Sequence, residues 1–464
     1  MKLPEDFLAQ MRALLGTDAE AFLQAASQDD ASVSLRLNRR KCSVPPFGDA
    51  QPVPWCPGGF YLDKRPTFTL DPLFHAGAYY VQEASSMFLY QVVQEALRIL
   101  PPHDGPLRVL DLCAAPGGKS TLLIDALPDD AVLVANEVVH TRANILAENL
   151  SKWGYPHVLV TEAKPEDLPG TYDLILTDVP CSGEGMFRKD SQAVEQWSMA
   201  NVRMCAARQR EIVQAIWPRL RPGGCLIYST CTFNTAENEE NVTWIADTLG
   251  ADVLPVDTSV SLGRSLDELG ITASLLPDAP VLPVARFMFH RSRGEGLFMA
   301  LLQKKDQSVT DDKKRRPAPS KLAKVKLWPM DCLRDAEAFQ TVEVQPGRYH
   351  AMSASVKELY DAFAKARVRM HSAGIALGEM KGSDLIPAAS LALSQQLERR
   401  QVLCAEVDTK TALDYLRRSA VTLNTNLPRG YVLLCFHGLP LGWVKHLGNR
   451  ANNLYPNDWR IRTL

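Results

Sequence analysis

The sequence predicts an α/β protein built on an open, mostly parallel sheet, and three observations carry that expectation. Unbroken apolar runs recur through the first two thirds of the chain: RVLDLC (108–113), AVLVANE (131–137), HVLVTEA (157–163), YDLILTDVP (172–180) and GGCLIYSTC (223–231). Runs of this kind are the mark of strands buried on both faces. Helix-length segments separate them, as βαβ crossovers require; the stretch from Ala193 to Leu220 reads as one helix that stops at RPGG. Finally, a small-residue turn, CAAPGGKS (113–120), follows the first run and precedes a helical stretch, STLLIDAL. Open parallel sheets bind ligands at that place.

The chain has 464 residues, 46% hydrophobic and 22% charged, too long for one compact domain. The polar stretch from Lys304 to Lys324, KKDQSVTDDKKRRPAPSKLAK, reads as a linker. The expected division is an N-terminal RNA-binding subdomain of α+β type (1–70), a Rossmann-like core (71–304), a linker (305–325), a central accessory domain (326–395) and a C-terminal β-barrel domain (396–464). The first thirty residues carry Glu5, Asp18 and Glu20 with no unbroken apolar core, so no secretory leader is read and a cytoplasmic location is expected. YVLLCF (431–436) reads as a buried strand, and no run approaches a membrane span. Ten scattered cysteines without a C-x-x-C pair imply reduced thiols and no metal site. A monomer is expected.

The net charge of −2 hides an uneven distribution. Residues 396–464 hold ten Lys or Arg against five acids, which makes that region about +5 and the rest about −7. Arg36, Arg39, Arg40 and Lys41 form a second basic cluster in SLRLNRRK. Basic ends around an acidic middle fit accessory domains that grip phosphates, although solvated surface charge has the same signature.

The turn CAAPGGKS excludes two nucleotide-binding motifs. A Walker loop needs glycine five places before Gly118, where Cys113 stands, and the G-x-G-x-x-G fingerprint is absent. Glu137 ends the second run nineteen residues past Gly118, where a carboxylate can accept from two ribose hydroxyls. S-adenosylmethionine fits these features best. The fourth and fifth runs each deliver a cysteine to the same sheet edge, Cys181 in DVPCSGEGMFRKD and Cys231 in STCTFNTAENEENV. Two cysteines there suit cytosine chemistry. Thiolate addition to carbon 6 makes carbon 5 nucleophilic, and a second group assists loss of the carbon 5 proton. Asp178, when protonated or facing a protonated base, would hydrogen-bond the nitrogen edge of the ring and favour addition.

These segments resemble the Sun (nucleolar protein) family of RNA cytosine-5 methyltransferases, whose signatures CAAPGGK, D-x-P-C-S-G and S-T-C-T are intact here. SLRLNRRK, YYVQEASSM (79–87) and GLFMALLQK (296–304) also match, so the resemblance covers at least residues 30–304. It implies Cys231 as nucleophile and Cys181 as the cysteine of product release. It also implies cofactor contacts from Cys113, Ala114, Ala115, Pro116, Gly117, Gly118, Lys119 and Glu137, with Arg142 near the ribose. Asp178 would be shared between cofactor and base, and Lys189 would lie near the target ring. Many relatives end the third strand with an aspartate that contacts adenine; Thr161, Glu162 and Ala163 stand here, so Glu162 or a backbone amide would substitute.

Beyond the linker, residues 373–393 and 438–456 resemble the extension of bacterial F-type small-subunit (16S) rRNA methyltransferases, which ends in a PUA-like RNA-binding β barrel. Trp443, Lys445, His446, Arg450, Asn452, Asn453, Tyr455, Trp459 and Arg460 would there stack on bases and contact phosphates, or else form a plain barrel core with a charged rim. The resemblance implies 16S rRNA or the small ribosomal subunit as partner. A tRNA cytosine-5 methyltransferase, a DNA-type enzyme with Cys181 as nucleophile and a non-catalytic rRNA-binding assembly factor are the competing readings.

Overall fold

The computed structural model describes residues 3–28, 32–275, 281–305, 327–423 and 426–462. Most of the expected linker lies outside the described residues. All five apolar runs form strands: Arg108–Asp111, Val132–Asn136, Val158–Glu162, Tyr172–Asp178 and Leu220–Thr230. They pair in parallel in the spatial order third, second, first, fourth, fifth. The order reverses beside the first strand, and the crevice there opens at the strand carboxyl ends. Leu297–Lys304 adds an antiparallel neighbour to the fifth strand. One face buries Val109, Leu133, Val160 and Leu174 against the helices Leu89–Ile99, Gly118–Ala126 and His140–Trp153. The other buries Leu110, Val134, Leu159 and Ile175.

Two local expectations change. The helix read over 193–220 is two, Ser191–Gln196 and Met199–Ile216, because Trp197 turns inward and Ser198 caps a new start, its Oγ accepting from Asn201 N at 3.1 Å. RPGG does not precede the fifth strand but lies inside it. The pairing slips between Tyr172 and Leu174, and a Cβ on Gly224 would lie 2.9 Å from the Asp173 carbonyl, so glycine lets the strand continue through the irregularity.

The flanking segments are fastened to this core. Strand Tyr79–Val81, past residue 70, joins Val33–Leu37, Gly59–Leu62 and Gln51–Pro52 in a four-stranded antiparallel sheet. The helices Glu5–Leu15 and Ala19–Ser27 pack instead over the loops that follow the fourth and fifth strands, with Phe7 against Phe187 and Trp197 and Phe22 against Phe233. From beyond the linker, strand Arg369–Ala373 pairs antiparallel with the third core strand. Helix Ala354–Lys365 lays Val356, Leu359 and Phe363 into the second face of the sheet. The C-terminal sheet comprises Cys404–Glu406, Gly430–Phe436, Leu439–His446 and Ala451–Asn453, and the second of these is the strand read from YVLLCF.

The basic cluster near the start is largely internal. Arg36 is buried: Nε donates to Gln82, Nη1 pairs with Asp125, Nη2 donates to Thr121 Oγ1 at 2.6 Å, and the guanidinium lies 4.7 Å from the Trp153 ring centre. Lys41 donates to the carbonyls of Ala76 and Lys152, and burial pushes its amine down to about 7. Arg40 pairs with Asp129. Only Arg39 of the four stands exposed without a recorded polar partner among the described residues, so the cluster braces the fold more than it faces phosphate.

Because Phe363 is fully buried in the core of the sheet, Phe363→Ala should cost about 3–5 kcal/mol in urea unfolding. A loss under about 1 kcal/mol would mean that the segment after the linker contributes little to the core.

Candidate functional site

The loop after the first strand is held from three sides. Gly117 adopts φ +112°, which side chains rarely allow, and a Cβ on Gly118 would lie 3.2 Å from the Tyr80 ring. Helix His140–Trp153 supplies Arg142, which donates to the Ala115 carbonyl at 3.0 Å, and Asn149, which donates to the Pro116 carbonyl at 2.8 Å. Arg36 reaches the Gly118 carbonyl from the N-terminal sheet, and the Ala114 amide donates to the Asn136 carbonyl. Glu137 is buried, accepts from the Val139 amide at 3.0 Å and pairs with Arg142 at 3.2 Å.

Three carboxylates crowd this cleft. Burial, then the charges of Asp111, Asp178 and Glu137, push the Cys113 thiol far up. Asp111 is fully buried, accepts from Ser120 Oγ through one oxygen and has no hydrogen-bond partner on the other. Burial pushes its carboxyl up to about 7. Lys119 Nζ lies 2.8 Å from Asp178; burial disfavours the ammonium, but Asp178 outweighs it and the pKa of Lys119 is raised.

Cys181 and Cys231 meet at the ends of the fourth and fifth strands with their sulfurs 3.2 Å apart, and the Cys231 amide lies 3.3 Å from Cys181 Sγ. The hydrogen bond to Cys231, then burial, then the charges of Cys231 and Glu237 push the Cys181 thiol well up.

Two acids that sequence reasoning passed over hold these loops together. Glu184, three residues after Cys181, accepts from the amides of Phe233 at 2.7 Å and Asn234 at 3.0 Å, from Trp197 Nε1 at 3.0 Å and from Gln10 Nε2 at 3.0 Å. Glu237, six residues after Cys231, reaches back to the Ser182 amide at 3.0 Å and accepts from Gln209 and Asn234. Ser182 Oγ and Thr232 Oγ1 are 3.0 Å apart, and the Gly185 amide donates to the Cys231 carbonyl. The available signal was an acid beside each cysteine, in SGEG and in TAENEE, a pattern that solvated loops share.

Other expected site residues are engaged differently. Lys189 pairs with the buried Glu295 at 3.4 Å, beside Arg188, which binds the same carboxylate at 3.0 Å. Glu162 is bound by His140 and His371, and the Ala163 amide donates to Asn136 Oδ1, so both expected adenine contacts have protein partners. In the C-terminal sheet Trp443, His446 and Tyr455 are buried and Lys445 pairs with Asp384, whereas Arg450, Asn452 and Arg460 are exposed. Trp443 and Tyr455 thus belong to the domain core, whereas Trp459 is partly exposed.

The glycine loop at the switch point and the buried acid ending the second strand define an S-adenosylmethionine-dependent methyltransferase. Family models described as 16S rRNA methyltransferase RsmB/F, N-terminal domain of 16S rRNA methyltransferase RsmF and methyltransferase RsmF PUA domain match residues 97–303, 3–84 and 402–461. The ribosomal RNA small subunit methyltransferase F of Enterobacter sp. (strain 638) is 31% identical, over 98% of this chain and 95% of its own. That of Citrobacter koseri is also 31% identical, over 98% and 96%. The chain belongs to the ribosomal RNA small subunit methyltransferase F family. Among solved structures, a methyltransferase homolog protein from Pyrococcus horikoshii is 26% identical, covering 65% of this chain and 95% of its own with a TM-score of 0.53. NSun6 from the same organism, solved with SFG, shares the fold at 19% identity, 65% and 98% coverage and a TM-score of 0.51.

The residues fit S-adenosylmethionine. Asp111, Glu137 and Asp178 all act electrostatically on Cys113 of the loop, a set of acids suited to a ligand that carries positive charge, and Asp111 keeps an unpartnered buried oxygen.

Two measurements follow from this geometry. In the unfolded chain Asp111 titrates near the ordinary 3.8 and in the fold near 7, so the folded state keeps a proton that the unfolded state has released. Its contribution to stability should fall as pH rises through that window and level off above about 7; denaturant titrations of Asp111→Asn should show a flatter profile than the parent. Glu184→Ala strands two backbone amides and an indole, and should cost about 3 kcal/mol or more in urea unfolding, with Glu184→Gln recovering part of it.

Proposed function

We propose that this protein methylates carbon 5 of a cytosine in small-subunit ribosomal RNA, with Cys231 as nucleophile and Cys181 as the group that assists release. The observation that carries the reading is the 3.2 Å approach of the two sulfurs, at the strand ends beside the Lys119–Asp178 pair. The names of the family's members supply the substrate, and the match to a PUA domain supports RNA as partner.

S-adenosylmethionine supplies an electrophilic methyl group. The chain's residues hold it: the loop 113–119 and the Arg142–Glu137 pair shape its cleft, and the three carboxylates offset its positive charge. Cys231, as thiolate, forms a bond to carbon 6, and the electron pair of the 5,6 double bond passes to carbon 5 for the incoming methyl. Asp178 is bound to Lys119 as an acceptor, which suits it to receive a hydrogen bond from the exocyclic amine of cytosine. Lys119 offers donor hydrogens beyond the one Asp178 accepts. Once Cys231 is bonded to the base, the contact that it makes with Cys181 Sγ in the resting pair is given up. Cys181, its own proton released to solvent, takes the carbon 5 proton; the electron pair of that carbon–hydrogen bond restores the 5,6 double bond, the carbon 6–sulfur bond breaks and Cys231 leaves as thiolate. The assignment of the two roles rests on the resemblance of the segments that carry the cysteines.

With labelled RNA and S-adenosylmethionine, Cys181→Ala should accumulate a slow-migrating protein–RNA adduct on a denaturing gel, whereas Cys231→Ala and the double variant should give none. An adduct with Cys231→Ala alone would exchange the roles. Bisulfite sequencing of small-subunit rRNA with and without the protein should reveal at least one protected cytosine that depends on it; an unchanged pattern would remove this RNA as substrate.

A further inference from the structure

Three metal-ligating side chains from three elements converge outside the cysteine site. His140 opens the helix His140–Trp153, Glu162 ends the third core strand, and His371 lies on the edge strand that arrives from beyond the linker. His140 Nδ1 and His371 Nε2 each lie 2.8 Å from the same oxygen, Glu162 Oε2, and all three ligand atoms fall within 4.8 Å of one another. We propose that this His2Glu cluster binds a divalent transition-metal cation of the zinc class, which clamps the edge strand Arg369–Ala373 onto the cofactor sheet.

The polar neighbours orient the rings toward a common point. His371 Nδ1 lies 2.9 Å from Asn144 Oδ1, and Asn144 Nδ2 lies 3.4 Å from His140 Nε2. In the tautomer with His371 Nδ1–H donating to Asn144, the Nε2 lone pair and Glu162 Oε2, 2.8 Å apart, are both available to one cation.

The metal is favoured by the surroundings. A third ligand, His140, points at the same oxygen, and two imidazoles with one carboxylate are a borderline donor set that zinc accepts with water in the fourth place. Asn144 fixes the His371 tautomer from the far nitrogen, the outer support that metal-bound histidines regularly have. The His140 side chain is 47% exposed, and Asn144 and His371 line an open groove of about 710 Å³, so an ion has a path in. Against it stand Arg369, 3.7 Å from the Glu162 oxygen but 62% exposed and able to swing into solvent, and the weak Asn144 contact to His140, which the bound form gives up. The ligands are 22 and 209 residues apart in sequence, so no short motif announces them.

The test uses the full-length chain stripped by chelator and titrated with Zn²⁺ alone by calorimetry, and with Co²⁺ for its visible spectrum. One equivalent should bind with a nitrogen–oxygen ligand field. His371→Ala or His140→Ala should weaken binding by about tenfold or more, and Asn144→Ala, which removes only the support, by about 10- to 100-fold. The double variant Cys181→Ser/Cys231→Ser should bind as the parent does, which separates this site from the thiols and from the methylation reading. Zn²⁺ should raise the Tm of the parent and not that of His371→Ala. Equal binding by all variants, or thiolate-to-cobalt absorption that the cysteine variant abolishes, overturns the proposal. A parent that takes up no zinc also overturns it.

Discussion

Two buried carboxylates set the distance between the two cysteines. Glu184 leaves the loop that carries Cys181 and ties down the amides of the Cys231 loop, while Glu237 leaves the second loop and ties down an amide of the first. Neither has a cationic partner in this network; each is stabilised by neutral donors, several of them backbone. Loops that end neighbouring strands start close together, but strand spacing alone fixes sulfur positions only loosely. The reciprocal bonds convert proximity into a defined pair, and close contacts at Gly185 and Gly296 leave no room for the loops to separate by a side chain. Burial pushes the Glu237 carboxyl up, and Ser182 and Asn234 act against that rise.

The same economy of buried polar groups fastens the outer segments. Arg36 belongs to the N-terminal sheet, yet its guanidinium ends on the helix that follows the cofactor loop. Gln10, from the first helix, reaches Glu184. Segments expected to serve RNA are thereby bonded directly to the cofactor loop and to the loops that carry the cysteines. The segment after the linker goes further, supplying an edge strand and a covering helix to the sheet itself. The two ends differ in how they use their basic side chains: Arg36 and Lys41 near the start are taken up internally, whereas eight of the ten cations of residues 396–464 are exposed.

The sequence by itself determined the five core strands, their parallel pairing and the meeting of a glycine loop with two cysteines at one sheet edge. These are local or topological facts: apolar runs must be buried on both faces, crossovers have one hand, and strand ends on one side share an edge. Glu137 was legible for the same reason, as the last residue of a strand of known direction. What only the tertiary structure decided is whatever depends on partners distant in the chain. Arg36 and Lys41 look like phosphate ligands until Asp125 and two carbonyls take them up. Trp443 and Tyr455 look like stacking platforms until packing in the C-terminal domain buries them. Glu162 looks like an adenine contact until His371 arrives from 209 residues away. Glu184 and Glu237 look like ordinary loop acids. A side chain's charge and shape are written locally, but its free energy is set by the groups that replace its water, and those are chosen when the chain closes on itself.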